Sequence, residues 1–287
     1  MRRFSIATSL SLLLILGSAL AKAQSTSSCT TTIITVNATG QVVPLGINNS
    51  GTVTGVFFDT GFASHGFKWA NGTGQLFDFP GADQTTLGAI NDSGTAVGTL
   101  FNADGSSLGF TLDANGQTAQ FAIPGFFNTS ALGINNRGDI VGVADGTGFK
   151  KTGNTFSFIQ FPGAVSTLPT SINDAGVIVG TYFDGDATHS FVSANGKFVN
   201  FDVPGADSTD ARGINDRGVI VGEFRQTADA QGQGFTFVNG NVATFQFPGA
   251  TFTEFSAVNA QGDRVGDTVT SDVNGFLSGP AFLLTCR

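Results

Sequence analysis

The chain of 287 residues carries 13 Lys and Arg against 21 Asp and Glu, a formal charge of −8, with only 12% of residues charged. An acidic surface disfavours nucleic acid and anionic membranes as partners. The 40 Gly and 29 Phe, set against a single Trp and a single Tyr, exclude a disordered polyelectrolyte and suggest one core position repeated with Phe.

The N-terminus reads as an export signal. Arg2 and Arg3 give a positive start, Ser9 to Gly17 is apolar, and Ala21-Lys22-Ala23 supplies small residues before a cleavage expected near Ala23. The apolar run is too short to span a bilayer, and no later stretch is long enough for a membrane helix. Cleavage would remove Arg2, Arg3 and Lys22 and no acidic residue, taking the charge from −8 to −11. The expected organisation is therefore residues 1–23 as signal and 24–287 as one domain, acting outside the cytoplasm: extracellular, cell-surface or periplasmic. The two cysteines, Cys29 and Cys286, lie at the ends of that domain. In an exported protein such a pair reads first as a disulfide.

The domain is an internal repeat. An aliphatic residue followed by Asn recurs at Ile47, Ile90, Ile134, Ile172, Ile214 and Val258, with spacings of 43, 44, 38, 42 and 44 residues. Each copy continues into a polar turn, as in Asn215-Asp216-Arg217-Gly218, and then an apolar run such as Val219-Ile220-Val221-Gly222. Asn and Asp favour such turns, and Gly takes the positive φ. A variable loop leads to a third strand beginning near Phe67, Phe110, Phe149, Phe191 or Phe235. Asn-Gly pairs (Asn71-Gly72, Asn115-Gly116, Asn195-Gly196, Asn239-Gly240) signal a hairpin into a fourth strand. That strand ends near a Pro-Gly turn at Pro80, Pro124, Pro162, Pro204 and Pro248. Four antiparallel strands, here called a to d, in about 42 residues make one propeller blade. The expected fold is all-β, a six-bladed β-propeller of four-stranded antiparallel blades, with its ring closed by the terminal strands.

For closure, Ile33 to Val36 supplies a candidate strand d for the last blade, and Ala281 to Leu284 a candidate strand c. Antiparallel pairing that sets Cys29 opposite Cys286 also sets Ile33 opposite Phe282. The alternative takes Gly275-Phe276 as strand c and Ala281 to Thr285 as strand d.

The segments His65-Gly66-Phe67-Lys68-Trp69 and His189-Ser190-Phe191 resemble the His-Ala-Phe motif of the HAF family of probable extracellular repeat proteins. The recurring Ile-Asn-Asp-x-Gly-x-Ile-Val-Gly is similar to that family's other signature. The resemblance spans about residues 30 to 286 and implies bacterial export and a repeat architecture, with no established activity. His is replaced by Leu108, Thr147 and Gln233 in other copies.

No motif forms a convincing catalytic constellation, and none requires a metal or cofactor. His65 and His189 occupy equivalent positions on different blades, where the plainest role is a ring bonded to a local carbonyl. Gly105-Ser106-Ser107-Leu108-Gly109 matches a nucleophile elbow but lies in a β repeat without the strand–turn–helix it requires. Arg137-Gly138-Asp139 is repeat drift within a turn. Asp184-Gly185-Asp186 and Asn102-Ala103-Asp104-Gly105 read as turns, and Asp92, Asp174 and Asp216 as turn caps. No carboxylate pair stands out as unique to one blade.

These readings favour an exported, non-catalytic propeller, structural or binding an extracellular glycan or protein. The alternative is a secreted carbohydrate-active hydrolase or lyase on the same scaffold. In either case the b–c and d–a connections share one face, whereas the a–b and c–d turns on the other are short and uniform. Variable loops are where repeat proteins usually bind. The candidate ligand residues are Phe58, Asp59, Asp83, Phe126, Phe127, Asp184, Asp186, Asp207 and Arg225.

Overall fold

The alternation of short apolar strands with Asn-rich and Pro-Gly turns produces 24 strands among the described residues, in six four-stranded antiparallel sheets. The computed structural model describes residues 28–227, 231–269 and 279–287. The expected export signal and Gly275-Phe276 lie outside the described residues. After β1 (Cys29–Ile33), blade 1 is β2 (Gly40–Ile47), β3 (Val53–Asp59), β4 (Ser64–Ala70) and β5 (Thr73–Phe77). Blade 2 is β6 (Gln84–Ile90), β7 (Ala96–Phe101), β8 (Ser107–Leu112) and β9 (Thr118–Phe121). Blade 3 is β10 (Ser130–Ile134), β11 (Ile140–Ala144), β12 (Thr147–Thr152) and β13 (Thr155–Ile159). Blade 4 is β14 (Ser166–Ile172), β15 (Ile178–Phe183), β16 (Thr188–Ala194) and β17 (Lys197–Asn200). Blade 5 is β18 (Ser208–Ile214), β19 (Ile220–Arg225), β20 (Gln233–Val238) and β21 (Asn241–Phe245). Blade 6 combines β22 (Phe252–Val258), β23 (Arg264–Val269) and β24 (Phe282–Cys286) with β1 as its outermost strand.

The ring therefore closes in blade 6, where β24 is strand c and β1 is strand d. Cys29 pairs with Cys286 and Ile33 with Phe282 in the same register. A disulfide joins the two cysteines across 257 residues of sequence. The alternative assignment of Ala281 to Thr285 as strand d is overturned, because β24 lies between β23 and β1.

Six apolar clusters fill the seams between consecutive blades. Val141 and Ile159 of blade 3, for example, pack on Ile172, Ile178 and Phe191 of blade 4. Phe67, Phe110, Phe149, Phe191, Phe235 and Phe282 are all fully buried. Each pairs across strands with a glycine of strand b: Gly55, Gly98, Gly142, Gly180, Gly222 and Gly266. A methyl group at Gly55 would strike both the Phe67 ring and the Val43 carbonyl, and one at Gly222 the Phe235 ring and the Asp210 carbonyl. The Val-Gly signature of strand b thus leaves room for the aromatic ring of strand c and for a bulge in strand a.

The Asn of each a–b turn does two jobs. Asn215 Oδ1 accepts the N–H groups of Arg217 and Val219 at 3.0 Å each, capping its own turn. Its Nδ2 donates to the Asn259 carbonyl of the next blade at 2.8 Å. The same bond joins Asn48 to Asn91, Asn91 to Asn135, Asn135 to Asn173 and Asn173 to Asn215, and Asn259 returns to Asn48. Six buried side chains form a closed circle around the axis.

The next residue builds a second circle, which corrects the expectation that Asp92, Asp174 and Asp216 cap their own turns. Asp92 accepts the Asn49 N–H at 2.8 Å, Asp174 the Asn136 N–H at 2.7 Å, and Asp216 the Asp174 N–H at 2.7 Å. These carboxylates join blades because Asn already fills the capping position. The circle has one gap: Ala260 has no side-chain acceptor to offer Asp216.

Two outcomes test this packing. Phe149→Ala should destabilise the fold by about 3–5 kcal/mol as a core truncation, whereas the exposed Phe127→Ala should change it by under about 0.5 kcal/mol in denaturant titration. Ala260→Asn supplies the missing acceptor and should raise stability by about 0.5–1.5 kcal/mol in the same assay.

Candidate functional site

Strand a begins, and strand b ends, on the face that carries the b–c and d–a loops. One paired position there differs around the ring. It is Val43 with Val56, Thr86 with Thr99, Ser130 with Val143, and Leu168 with Thr181 in blades 1 to 4. In blades 5 and 6 it becomes Asp210 with Glu223 and Glu254 with Asp267. Four carboxylates thus meet where the other blades place neutral side chains. This corrects the expectation that no acidic pair is peculiar to particular blades. The signal was present in the sequence, but only register-level alignment of the repeats reveals it.

Arg212 supplies the countercharge. It occupies the bulge of strand a, between Ala211 and Gly213, a place held by Leu45, Leu132, Thr170 and Ser256 around the axial cavity. One guanidinium nitrogen lies 2.9 Å from Asp210, 3.1 Å from Glu254 and 3.8 Å from Glu223. One cation cannot neutralise four clustered carboxylates, three of them buried, so protons do the rest. Burial pushes Glu223 up to about 7, with Glu254 and Asp210 adding to the rise and Arg212 opposing it. Burial pushes Asp267 up to about 8, helped by the charge of Glu254 and a hydrogen bond with it. Glu223 Oε2, Asp267 Oδ1, Arg212 Nε and Ser256 Oγ are buried without a hydrogen-bond partner among the described residues.

The Glu223 side chain turns towards blade 6, where its Oε2 lies beside Gly232 and the Phe252 ring. A cleft of about 320 Å³ between blades 4 and 5 is lined by Asp186, Thr188, Asp207, Asp210, Glu223 and Arg225, among others. The axis itself is narrow, with cavities of about 70 and 80 Å³ at its two levels, well below the roughly 300 Å³ at which small-molecule pockets begin. A larger groove of about 600 Å³ runs between blades 3 and 4 from their short turns. Its principal charges already satisfy one another: Asp139 is 3.1 Å from Lys150 and 3.3 Å from Arg137.

Of the candidate ligand residues, Asp186, Asp207 and Arg225 converge on the cleft between blades 4 and 5. The others are dispersed. Phe58 is a half-buried strand residue paired with Ser64. Asp59 and Asp184 order their own loops, accepting N–H groups from Gly61 and Ala63, and from Asp186 and Ala187. Those bonds, with the nearby histidines, hold both carboxyls below the usual range. Phe126 packs on Phe158 at 5.6 Å, while Phe127 is exposed and gives its N–H to Asp145. Asp83 is exposed on the loop between blades 1 and 2.

The histidines differ from expectation in their partners. His65 Nδ1 lies 2.8 Å from Asp78 and Nε2 3.7 Å from Asp59. His189 repeats this with Asp202 at 3.0 Å and Asp184 at 3.5 Å. Carboxylates, not a carbonyl, hold both rings. Where His is absent, the position of Asp78 and Asp202 is Ala122, Gln160 or Gln246, so His and Asp are placed together. Ser107 is buried, with Asn128 as its hydroxyl partner. Asp139 is buried too, which leaves Arg137-Gly138-Asp139 no adhesive loop geometry. Asp104 accepts the Ser106 N–H within its turn. Among the described residues, no group of three or more His, Cys, Asp or Glu is arranged to hold a metal ion, and no helix is long and apolar enough to cross a membrane.

These features define a six-bladed, disulfide-closed β-propeller with an asymmetric acidic site on its loop face. No family model matches the sequence, and no curated protein matches it. Solved structures do resemble it. A catalytically inactive virginiamycin B lyase from Staphylococcus aureus, with quinupristin, aligns over 90% of this chain and 99% of its own, at 11% identity and a TM-score of 0.52. A putative TolB from Agrobacterium tumefaciens aligns over 71% of this chain and 80% of its own, at 11% identity and a TM-score of 0.56. The β-propeller domain of the Trilobed protease from Pyrococcus furiosus, described as having an open velcro topology, covers 84% and 80%, at 10% identity and a TM-score of 0.55. At these identities the likeness shows the fold alone.

The acidic site carries a pH signature. Glu223 and Asp267 hold protons in the folded protein that their unfolded forms, titrating near 4 to 4.5, release. The folded state therefore binds more protons, and stability falls as pH rises from about 4 to about 8. Melting curves should show that decline, and the double variant E223Q/D267N should flatten it.

Proposed function

We propose that this protein is an exported, non-catalytic propeller of the HAF repeat type that binds a glycan or protein outside the cytoplasm through its loop face. The observation that carries this reading is the break in repeat symmetry on the loop face: one paired strand position is acidic only in blades 5 and 6, and beside it Asp186, Asp207 and Arg225 line a cleft of ligand size between blades 4 and 5. The terminal disulfide suits an oxidising compartment. On the opposite face, the a–b turns are engaged in holding the blades together.

A second reading, a hydrolase or lyase, draws on the raised Glu223 and Asp267, since acid–base catalysis uses carboxyls poised near neutral pH. The binding reading is preferred because Asp267 faces Glu254 and Arg212 beneath the strands and does not line the cleft. A glycan and polysaccharide array, run beside a hydrolase panel, tests the two. Binding without turnover, reduced at least about tenfold (1.4 kcal/mol) in D186A/D207A/R225A, is the expected result. Turnover abolished by E223Q would establish the enzyme instead. Binding lost on changing Arg137 and Lys150, with the triple variant unaffected, would move the site to the groove between blades 3 and 4.

A further inference from the structure

We propose that the Cys29–Cys286 disulfide is a thiol-exchange site, at which a small external thiol forms a mixed disulfide on Cys29 and expels Cys286 as a thiolate held by Arg264. The exchange does not depend on which ligand the loop face binds.

The two sulfurs sit in unlike surroundings. Cys29 opens β1, whose five residues are all exposed. That strand is the outer edge of blade 6 and pairs only with β24. Cys286 is half-buried and packs against a cluster containing Phe255, Phe282 and Leu284. An incoming thiol therefore reaches Cys29 first, and opening of a singly paired edge strand costs little beside global unfolding.

Arg264 marks Cys286 as the leaving group. It pairs across strands with Leu284, so its side chain shares a face of blade 6 with Cys286 two residues further on. Its Nη1 lies 3.7 Å from Cys286 Sγ, and its guanidinium stands 5.8 Å from the centre of the Phe255 ring. Its Nε is buried without a hydrogen-bond partner among the described residues. The neighbouring Asp263 is engaged by Arg287 at 2.7 Å, and Arg264 forms no ion pair of its own among the described residues. Burial lowers the Arg264 guanidinium from its usual value, and Asp263 opposes this only in part. A cation drawn out of water without a counter-ion is costly, and a neutral sulfur is a weak acceptor. A thiolate at Cys286 supplies the missing charge. A cation beside a cysteine lowers its thiol pKa, and a thiol of lower pKa leaves faster.

The exchange balances without an oxidant or a reductant. The external thiol gives its proton to solvent, and its thiolate forms a bond to Cys29 Sγ. The Cys29–Cys286 bond breaks, with its electron pair passing to Cys286 Sγ. One disulfide is consumed and one is formed. The ring stays closed, because Ile34, just after β1, remains packed with Val53, Phe57 and Ala281 across the seam between blades 6 and 1.

Reduced glutathione and the full chain test this. The protein is incubated with the thiol near neutral pH, quenched with acid at intervals and mapped by mass spectrometry. The early adduct should lie on Cys29, outnumbering any on Cys286 at least about tenfold. The freed Cys286 should be alkylated by iodoacetamide at about pH 6, where an ordinary thiol, titrating near 8.5, reacts little. R264Q removes a buried charge without breaking an ion pair and so keeps the fold. It should slow exchange about tenfold and abolish the alkylation at low pH, while R264K keeps most of both. In denaturing guanidinium chloride the difference between R264Q and the parent should vanish. An adduct chiefly on Cys286, or exchange as fast in R264Q as in the parent, overturns the proposal. A disulfide that resists glutathione in the native protein and yields only on unfolding is a structural closure alone, and also overturns it.

Discussion

The circle of six asparagines is the constraint on which the rest of the ring depends. A propeller blade cannot bury both of its faces alone, and its innermost strand must end beside five others at a crowded axis. Each Asn settles two demands with one side chain: its oxygen caps the turn that sends strand a into strand b, and its nitrogen fixes that turn to the next blade. The bond from Asn259 to Asn48 makes the circle continuous across 211 residues of sequence. Because these groups are buried, an unmade bond would leave polar atoms without partners, which ties every blade to the same height and rotation.

Outside that circle, the seams follow from one steric exchange. Glycine in strand b yields its side-chain space to a phenylalanine of strand c and to a bulged carbonyl of strand a. The exchange repeats in register, so each blade presents a similar apolar face to the next. The bulge also turns one residue of strand a towards the axis. In most blades that residue is neutral, but in blade 5 it is Arg212, and the conserved geometry of the scaffold delivers a cation to the junction of two acidic strand pairs. The asymmetry is thus made by side-chain substitution on a recurring backbone pattern.

The two histidine sites show the same principle at the rim. Blades 1 and 4 stand opposite each other in a ring of six, and each holds its ring between an aspartate of the b–c loop and one that follows strand d. These triads order their loops; they do not meet at a common centre.

Much of the architecture was legible in the chain itself. Ile-Asn-x-x-Gly spacing determined the number of blades, and Asn-Gly and Pro-Gly pairs marked the turns. The shared register of Cys29 with Cys286 and Ile33 with Phe282 foretold the closure, because turns and strand alternation are local properties that repetition amplifies. The choice between β24 and Gly275-Phe276 as strand c was left to the tertiary structure, since both segments satisfied the local pattern. The site followed the same division. Asp186, Asp207 and Arg225 were visible as loop residues, but their convergence depends on how blade 4 abuts blade 5. Asp210, Glu223, Glu254 and Asp267 looked like ordinary strand charges, each with a plausible exposed position. Only the packing of two blades around Arg212 brings them together and buries Glu223, Glu254 and Asp267, and burial, not residue identity, raises Glu223 and Asp267.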